Sequence, residues 1–287
     1  NKEDENEENN DYPKRIKNAI ESLKSNNEEY LKDNLEKYSP KFAAILENLE
    51  NEEHKGCHFL YSQFRTLEGI EILTLILQAN GFKELKVIKN KNGEFIFKNT
   101  IVKDKMFSLY TGSESDEEKE IIRNIYNGDW GYLPTRLSNE LKEINKDNNF
   151  GEIIKLFMIT SSGAEGINLK NTRYVHITEP YWHPVRNQQV IGRARRICSH
   201  SELPKELQTV EVFLYLMKFT EKQLESISID LKLNDVSKKD KKRVLTSDEF
   251  LFEISSIKEE LNKELLTNVK KSAMDCSIHS RSSSKEK

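Results

Sequence analysis

The sequence predicts an α/β domain built on a mainly parallel sheet, and three observations carry this prediction. Apolar runs of strand type alternate with amphipathic helical segments from residue 39 to about residue 222. Two of these runs, IIKLFMIT and RYVHIT, are apolar without alternation, as strands buried on both faces are. Helix start signals precede several of the helical segments, and strands that alternate with helices form layered parallel sheets.

The first 38 residues are predicted to lie outside this domain. The opening NKEDENEENND reads as a low-complexity acidic linker, and residues 14–37 are charged enough to form at best an exposed helix. The first core helix is predicted to follow Ser39, because Pro40 suits the first helical position. Apolar residues then recur at helical spacing: Phe42, Ile45, Leu46 and Leu49.

The domain continues with a strand, CHFLYS, and an amphipathic helix, TLEGIEILTLILQANG, that Gly81 is placed to end. An Asn-Gly pair between two strand-like runs predicts a hairpin inside an insert near residues 83–106. The strand MFSLYTG follows. Ser115 and Glu118, three residues apart, form a capping-box signature that opens the next helix.

Residues 128–151 are predicted to form a second insert, a helix and a loop. The two apolar strands follow, then a helix that begins near Pro184 and a further buried strand, TVEVFLYLM. After this strand the pattern changes. A basic loop, SKKDKKR, a long helix opened by a second capping box at Thr246 and Glu249, and a frayed tail form a helical C-terminal extension, residues 223–287.

Composition excludes several classes of protein. The net charge is −3, of which the first 11 residues carry −5, so the remaining chain carries +2 and bulk charge does not indicate nucleic-acid binding. Three cysteines that lie far apart, Cys57, Cys198 and Cys276, argue against a disulfide framework and for a reducing compartment. No CxxC or HExxH accompanies HKGCH and CSH, so we expect no metal site.

The expected location is intracellular, in the cytoplasm or nucleus. The longest apolar runs, ILTLIL and VFLYLM, are too short to cross a bilayer, so no membrane partner is expected. The first residues are acidic, which is unlike a secretory signal.

Three segments place small, polar or basic residues after predicted strands: HFLYSQF, MITSSGAEGINL and EPYWHPVRNQQVIGRARR. In open α/β sheets, ligands bind outside the carboxyl ends of the strands. Each segment alone is weak evidence, because SGAEG is more often an ordinary turn and an arginine-rich helix is more often a solvated face. Together, in this order, they are far more specific.

Together they resemble the second RecA-like domain of superfamily 2 helicases and nucleic-acid-dependent ATPases, over roughly residues 39–219. QVIGRARR matches motif VI, TSSGAEGINL matches motif V, and FLYSQF matches motif IV. EPYWHP and INL resemble the SWI/SNF-type ATPases. The intact Gly-Arg of motif VI and RRICSH are more similar to the helicase-like ATPases of large cytoplasmic DNA viruses, which include poxvirus early-transcription ATPases.

The resemblance implies a motor that binds ATP with Mg²⁺ between two RecA-like domains. The first domain would hold the phosphate loop and the Mg²⁺ ligands, and this chain would supply arginine fingers, Arg193 and Arg196. These two residues are three apart on a predicted helix, so they share a face and can reach one ligand together. Gln189 would orient the nucleotide, and Gly192 would let the helix pack closely. Arg195 faces elsewhere, and we expect it to be a surface residue and not part of the site.

The resemblance also assigns the remaining site residues. Those near the nucleotide and the interdomain contacts are Gly192, Gly163, Gly166 and Asn168. Those expected to contact the backbone of DNA or RNA are Thr160, Ser161, Ser62, Gln63 and Gly112. Backbone contacts carry no base information, which suits a motor that moves along any sequence.

No GxxxxGK[ST] and no DExH-like box occurs in the sequence. We therefore expect the first motor half to be missing from this chain and the chain alone to be inactive. Either the N-terminal RecA-like partner lies in cis in a longer polypeptide, or another polypeptide supplies it. Transcription machinery is a further expected partner, and a viral source would place the protein in the virion or the viral factory.

Two other functions compete with the motor. In the first, the chain is a non-catalytic scaffold module that keeps the helicase fold. The missing phosphate loop favours it and the intact motif VI argues against it. In the second, the chain is a Rossmann dehydrogenase, which fares poorly because no GxGxxG follows the first strand.

Overall fold

The computed structural model describes residues 2–66, 69–112, 114–161, 167–225, 233–234 and 244–273. The chain divides into two compact units, residues 1–179 with 190–215 and residues 180–189 with 216–287. This division falls earlier than the predicted boundary after residue 222, and it assigns the start of the motif VI helix to the second unit.

The elements follow the predicted alternation. The helices are α1 (Lys2–Ser25), α2 (Leu35–Tyr38), α3 (Pro40–Glu50), α4 (Ile70–Ala79), α5 (Asp116–Tyr126), α6 (Thr135–Ile144), α7 (Pro184–Ala194), α8 (Glu221–Glu225) and α9 (Ser247–Ser272). The strands are β1 (Cys57–Tyr61), β2 (Lys83–Glu84), β3 (Val87–Lys89), β4 (Phe95–Phe97), β5 (Met106–Tyr110), β6 (Leu156–Ile159), β7 (Thr172–Ile177), β8 (Glu211–Leu214), β9 (Leu233–Asn234) and β10 (Val244–Leu245).

Six strands of the first unit form one sheet in the order β2-β5-β6-β1-β7-β8. Every pairing in this sheet is parallel. Strand β1 lies in the middle, and its last residue, Tyr61, pairs with Ile159 on one side and Ile177 on the other. The α/β class with a RecA-like parallel sheet and flanking helices is therefore confirmed.

Both faces of the sheet are covered, which explains the apolar runs without alternation. Along β6, Leu156 and Met158 enter the core that holds α3 and α4, whereas Phe157 and Ile159 enter the core that holds α5 and α6. All four side chains are fully buried. A parallel strand with helices on both faces has no polar side to present.

The prediction of an exposed helix before residue 38 is wrong for part of that segment. A short π-helix, Glu28–Asp33, precedes α2, and its Leu31 is 3% exposed while Leu35 is 5% exposed. Both leucines pack in one core cluster with apolar side chains of α4. Because α4 is apolar around most of its circumference, a second layer is needed to cover it.

Two further expectations need correction. Residues 128–151 contribute to the core, since Leu137 and Leu141 of α6 are fully buried together with α5. The strand in TVEVFLYLM is not fully buried, because within the described ranges β8 is the last strand of the sheet and pairs with β7 alone. Val212 on β8 is accordingly 39% exposed.

The local signals at helix starts and turns are confirmed. Capping boxes open α5 at Ser115 and α9 at Thr246, each with the reciprocal pair of hydrogen bonds. Strands β3 and β4 pair antiparallel as a hairpin, and Gly93 in its turn has a φ of +79°. In the described part of the chain, no helix is long and apolar enough to span a bilayer.

A chain of buried hydrogen bonds links the middle of the sheet to the helix layer. His58 Nδ1 lies 2.9 Å from His176 Nε2, and His176 Nδ1 lies 2.7 Å from the hydroxyl of Tyr215. Asn48 Nδ2 donates to the same hydroxyl oxygen at 3.0 Å. Both imidazoles are fully buried, and each ring in this chain donates one bond and accepts one, which is the pattern of neutral histidine.

The two buried histidines predict a loss of stability in acid. Burial lowers the pKa of His176 to about 3, and burial together with His176 lowers the pKa of His58. In the unfolded chain both imidazoles bind a proton near pH 6.5, whereas in the folded chain they do not. The free energy of unfolding is therefore highest above pH 6.5 and decreases as the pH falls below it. Urea unfolding should show a slope of about 1.4 kcal/mol per pH unit for each histidine below about pH 6.5. His176→Gln should remove roughly half of that slope; an unchanged slope would contradict the assignment.

Candidate functional site

The predicted nucleic-acid contacts lie along one edge of the sheet. Strands β5, β6, β1 and β7 are neighbours, and their last residues are in register. The residues that follow these strand ends therefore meet at the carboxyl edge: Gly112 after β5, Thr160 and Ser161 after β6, Ser62 and Gln63 after β1.

Not all of these side chains can reach a ligand. Ser62 is 1% exposed and Thr160 is 2% exposed, so neither reaches a nucleic-acid backbone in this arrangement. The prediction that they make direct contacts is corrected on that ground. Gln63 is half-buried, and Ser161 and Gly112 are exposed.

Glu179, which the sequence analysis missed, explains why Ser62 is buried. The Ser62 hydroxyl donates to Glu179 Oε1 at 2.8 Å, and the Gln63 backbone N–H donates to Oε2 at 3.0 Å. Glu179 follows the strand RYVHIT, and a carboxylate directly after a buried strand is a signal that could have been used. It joins the ends of β1 and β7 across the sheet edge.

The arginines predicted as fingers are not placed by a shared helical face. Helix α7 ends at Ala194, so Arg193 lies in its last turn and Arg196 lies beyond it. The last residues of motif V, Ile167–Leu169, position them instead. Arg196 Nη2 donates to the carbonyl oxygen of Ile167 at 3.1 Å, and the N–H of Leu169 approaches the carbonyl oxygen of Arg193 at 3.4 Å.

Asn168 stands between these two contacts and is exposed. The structure thus brings together three of the residues predicted near the nucleotide: Arg193, Arg196 and Asn168. Gly163 and Gly166 lie outside the described residues. Gln189 is exposed on α7, in the part of that helix assigned to the second unit.

Gly192 does not serve close packing, contrary to the prediction. A Cβ added at this position would meet no atom of the described residues within 4 Å. The glycine leaves open space on α7, next to Arg193.

Gly192→Ala is therefore expected to fold at least as stably as the wild type. Alanine favours a helix over glycine by about 1 kcal/mol, and nothing opposes the added methyl. Thermal unfolding should show an unchanged or raised midpoint. If the space admits a ligand, ATP hydrolysis by the full-length protein should fall despite this. A lowered midpoint would contradict the open space at this site.

The described residues fit the phosphate part of a nucleotide better than its metal. The guanidinium groups of Arg193 and Arg196 are forks of N–H donors that suit phosphate oxygens. Within the described ranges, no group of three or more histidine, cysteine, aspartate and glutamate side chains could hold a metal ion.

Trp182, in the second unit, is 48% exposed, and Lys258 Nζ lies 4.0 Å from its ring centroid.

Comparison with known proteins finds a family similarity over part of the chain. Residues 131–198 match the family described as the helicase conserved C-terminal domain. The segment from residue 131 to residue 198 is thus similar to a helicase C-terminal domain. The match begins inside the segment predicted as an insert, residues 128–151, and ends with the arginines of motif VI.

Several similar proteins are viral, in agreement with the expected resemblance. A putative ATP-dependent RNA helicase, R563, of Acanthamoeba polyphaga mimivirus is 32% identical over 182 residues, 63% of this chain and 26% of the relative. A termination factor NPH-I homolog of African swine fever virus (isolate Tick/Malawi/Lil 20-1/1983) is 29% identical over 270 residues, 86% of this chain and 34% of the relative. The chain thus spans about a quarter to a third of the length of these relatives.

Among solved structures, the C-terminal part of the Fun30 ATPase domain is similar to the chain. The sequence identity is 15% and the TM-score is 0.36, over 78% of this chain and 53% of that one.

Proposed function

We propose that this helicase domain is the second motor half of a nucleic-acid-dependent ATPase that works as a helicase or translocase. Arg193 and Arg196 complete the active site for ATP with Mg²⁺ that is held mainly by another RecA-like domain of the same polypeptide. The observation that carries the proposal is the pair of contacts from the Ile167–Leu169 segment to these arginines, which gathers both guanidinium-bearing residues beside Asn168.

The charge of the guanidinium group is what the reaction requires. Transfer of the γ-phosphoryl group to water spreads negative charge over its oxygens, and an arginine finger that neutralises this charge raises the rate by a factor of about 10³ to 10⁵. A guanidinium group has five N–H donors. Among the described residues, the guanidinium group of Arg196 makes a hydrogen bond to Ile167, which orients the group and leaves other donors to face phosphate oxygens.

The exposed part of the sheet edge supports the nucleic-acid contact. Ser161 and Gly112 are exposed and Gln63 is half-buried, and hydroxyl, amide and backbone N–H groups bind phosphate oxygens without reading bases. Such contacts accept either DNA or RNA. Because a similar viral protein is named a termination factor homolog, we place the full-length protein with transcription machinery, in an infected cell or a virion.

ATP hydrolysis by the natural full-length protein tests this proposal, with the 287-residue chain as the comparison. The full-length protein is expected to hydrolyse ATP when nucleic acid is present. The chain alone is expected to show no turnover, because arginines without a phosphate-binding partner have no γ-phosphoryl group to act on. Turnover by the chain alone would refute the division of labour between two domains.

A further inference from the structure

Ser199, three residues after Arg196, closes the end of α7 and holds the backbone of Arg196. Ser199 is 7% exposed. The N–H of Arg196 donates to Ser199 Oγ at 3.3 Å, and the N–H of Ser199 donates to the carbonyl oxygen of Arg196 at 3.1 Å. The same hydroxyl lies 3.0 Å from the carbonyl oxygen of Ala194, the last residue of the helix. One residue therefore binds both backbone polar groups of Arg196.

His200 connects Ser199 to the sheet. Its Nδ1 lies 2.8 Å from Ser199 Oγ, and its Nε2 lies 2.7 Å from the carbonyl oxygen of Thr172, the first residue of β7. A carbonyl oxygen only accepts, so Nε2 carries a proton, and in the neutral ring Nδ1 accepts the Ser199 hydroxyl proton. A second hydrogen bond joins Ser199 to the sheet edge, since the N–H of Asn171 donates to the carbonyl oxygen of Ser199 at 2.8 Å.

The hydrogen bonds form one connected series. The Arg196 N–H donates to Ser199 Oγ, Ser199 Oγ pairs with His200 Nδ1, and His200 Nε2 donates to Thr172. The one hydroxyl proton of Ser199 has two further acceptors within reach, the carbonyl oxygens of Arg196 at 2.9 Å and of Ala194 at 3.0 Å. A hydrogen-bonded network of this kind restricts the geometry of its members. The series begins at Arg196 and ends at Thr172 of β7.

We propose that Ser199 and His200 are positioning residues, which anchor the backbone of Arg196 to β7 so that its guanidinium stays beside the Ile167–Leu169 segment. The inference rests on the proposed role of Arg196 as an arginine finger. An arginine side chain has large rotamer freedom, and a fixed backbone and a fixed Nη2 contact restrict it at both ends. Neither positioning residue contacts the nucleotide; both act through Arg196.

The test measures kcat and KM for ATP hydrolysis by the full-length protein. Ser199→Ala removes the acceptor of the Arg196 N–H and is expected to lower kcat by about 10- to 100-fold, as a misplaced catalytic group does, with KM for ATP little changed. Ser199→Thr keeps the hydroxyl and is expected to retain most of kcat. His200→Ala is expected to lower kcat less, because Ser199 keeps its own contacts with Arg196.

Ser201→Ala is the matched control. Ser201 lies in the same turn and is exposed, and its hydroxyl donates to the carbonyl oxygen of Cys198 at 3.0 Å. Its loss is expected to leave kcat unchanged. A fall in kcat equal to that of Ser199→Ala would mean that any change in this turn acts through its stability, and would overturn the proposal.

A double-mutant cycle separates this inference from the proposed function. In an Arg196→Ala background, Ser199→Ala is expected to cause no further loss of kcat, because its effect passes through Arg196. An equal further loss in that background would overturn the positioning role and leave the finger role standing. Wild-type kcat in Arg196→Ala alone would overturn the finger role, and with it this inference.

Discussion

Arg196→Ala in the natural full-length protein is expected to lower nucleic-acid-stimulated ATP hydrolysis by a factor of about 10³ to 10⁵. The variant removes the guanidinium group that Ile167 orients. It leaves the exposed sheet edge unchanged, so nucleic-acid binding should be retained. Arg196→Lys should not restore the rate, because a single ammonium cannot hold the Ile167 contact and also present a planar fork to phosphate.

Arg195→Ala is the matched control for this prediction. Arg195 is the adjacent residue and is exposed, and no role in the site is assigned to it. Its replacement removes the same charge and side-chain volume, so a general effect of positive charge near the site would appear in both variants. Comparable losses in Arg195→Ala and Arg196→Ala would contradict the specific role of Arg196.

Asn148→Ala is expected to cause the largest loss of stability, about 3 to 5 kcal/mol in the free energy of unfolding. Asn148 is 1% exposed. Its Nδ2 donates to the carbonyl oxygens of Tyr126 at 2.8 Å and Ile154 at 3.1 Å. Its Oδ1 accepts from the N–H of Ile153 at 2.8 Å and that of Ile154 at 3.0 Å. Alanine leaves these groups unpaired in a site closed to water.

Urea unfolding of the chain measures this effect, with Asn99→Ala beside it. Asn99 is exposed and its amide makes one long bond, 3.3 Å, to the carbonyl oxygen of Glu84. Its replacement should change the free energy of unfolding by less than about 0.5 kcal/mol. A loss of similar size in both variants would show that the four bonds of Asn148 contribute little.

The fold was predictable because its signals are local. Strands buried on both faces read as unbroken apolar runs, and the capping boxes at Ser115 and Thr246 require residues only three positions apart. The burial of Leu31 was not predictable from its charged neighbours. The apolar side chains that cover it belong to α4, which is distant in the sequence. The same holds for Ser62, whose partner, Glu179, is 117 residues distant.

The site was predictable in its members but not in its geometry. Spacing placed Arg193 and Arg196 on one helical face on the assumption that the helix continues. The helix instead ends at Ala194. Just beyond this end, the side chain of Ser199 accepts a hydrogen bond from the backbone N–H of Arg196. Where a helix ends depends on such capping contacts, and this one comes from a serine that the motif pattern does not include.

The most direct test of the central claim is the rate of ATP hydrolysis by the natural full-length protein, measured with no nucleic acid, with DNA and with RNA. The account predicts turnover that one or both nucleic acids raise, and that Arg196→Ala abolishes while Arg195→Ala does not. No turnover under any of the three conditions, from protein that unfolds cooperatively, would contradict the motor and favour a scaffold that keeps the helicase fold.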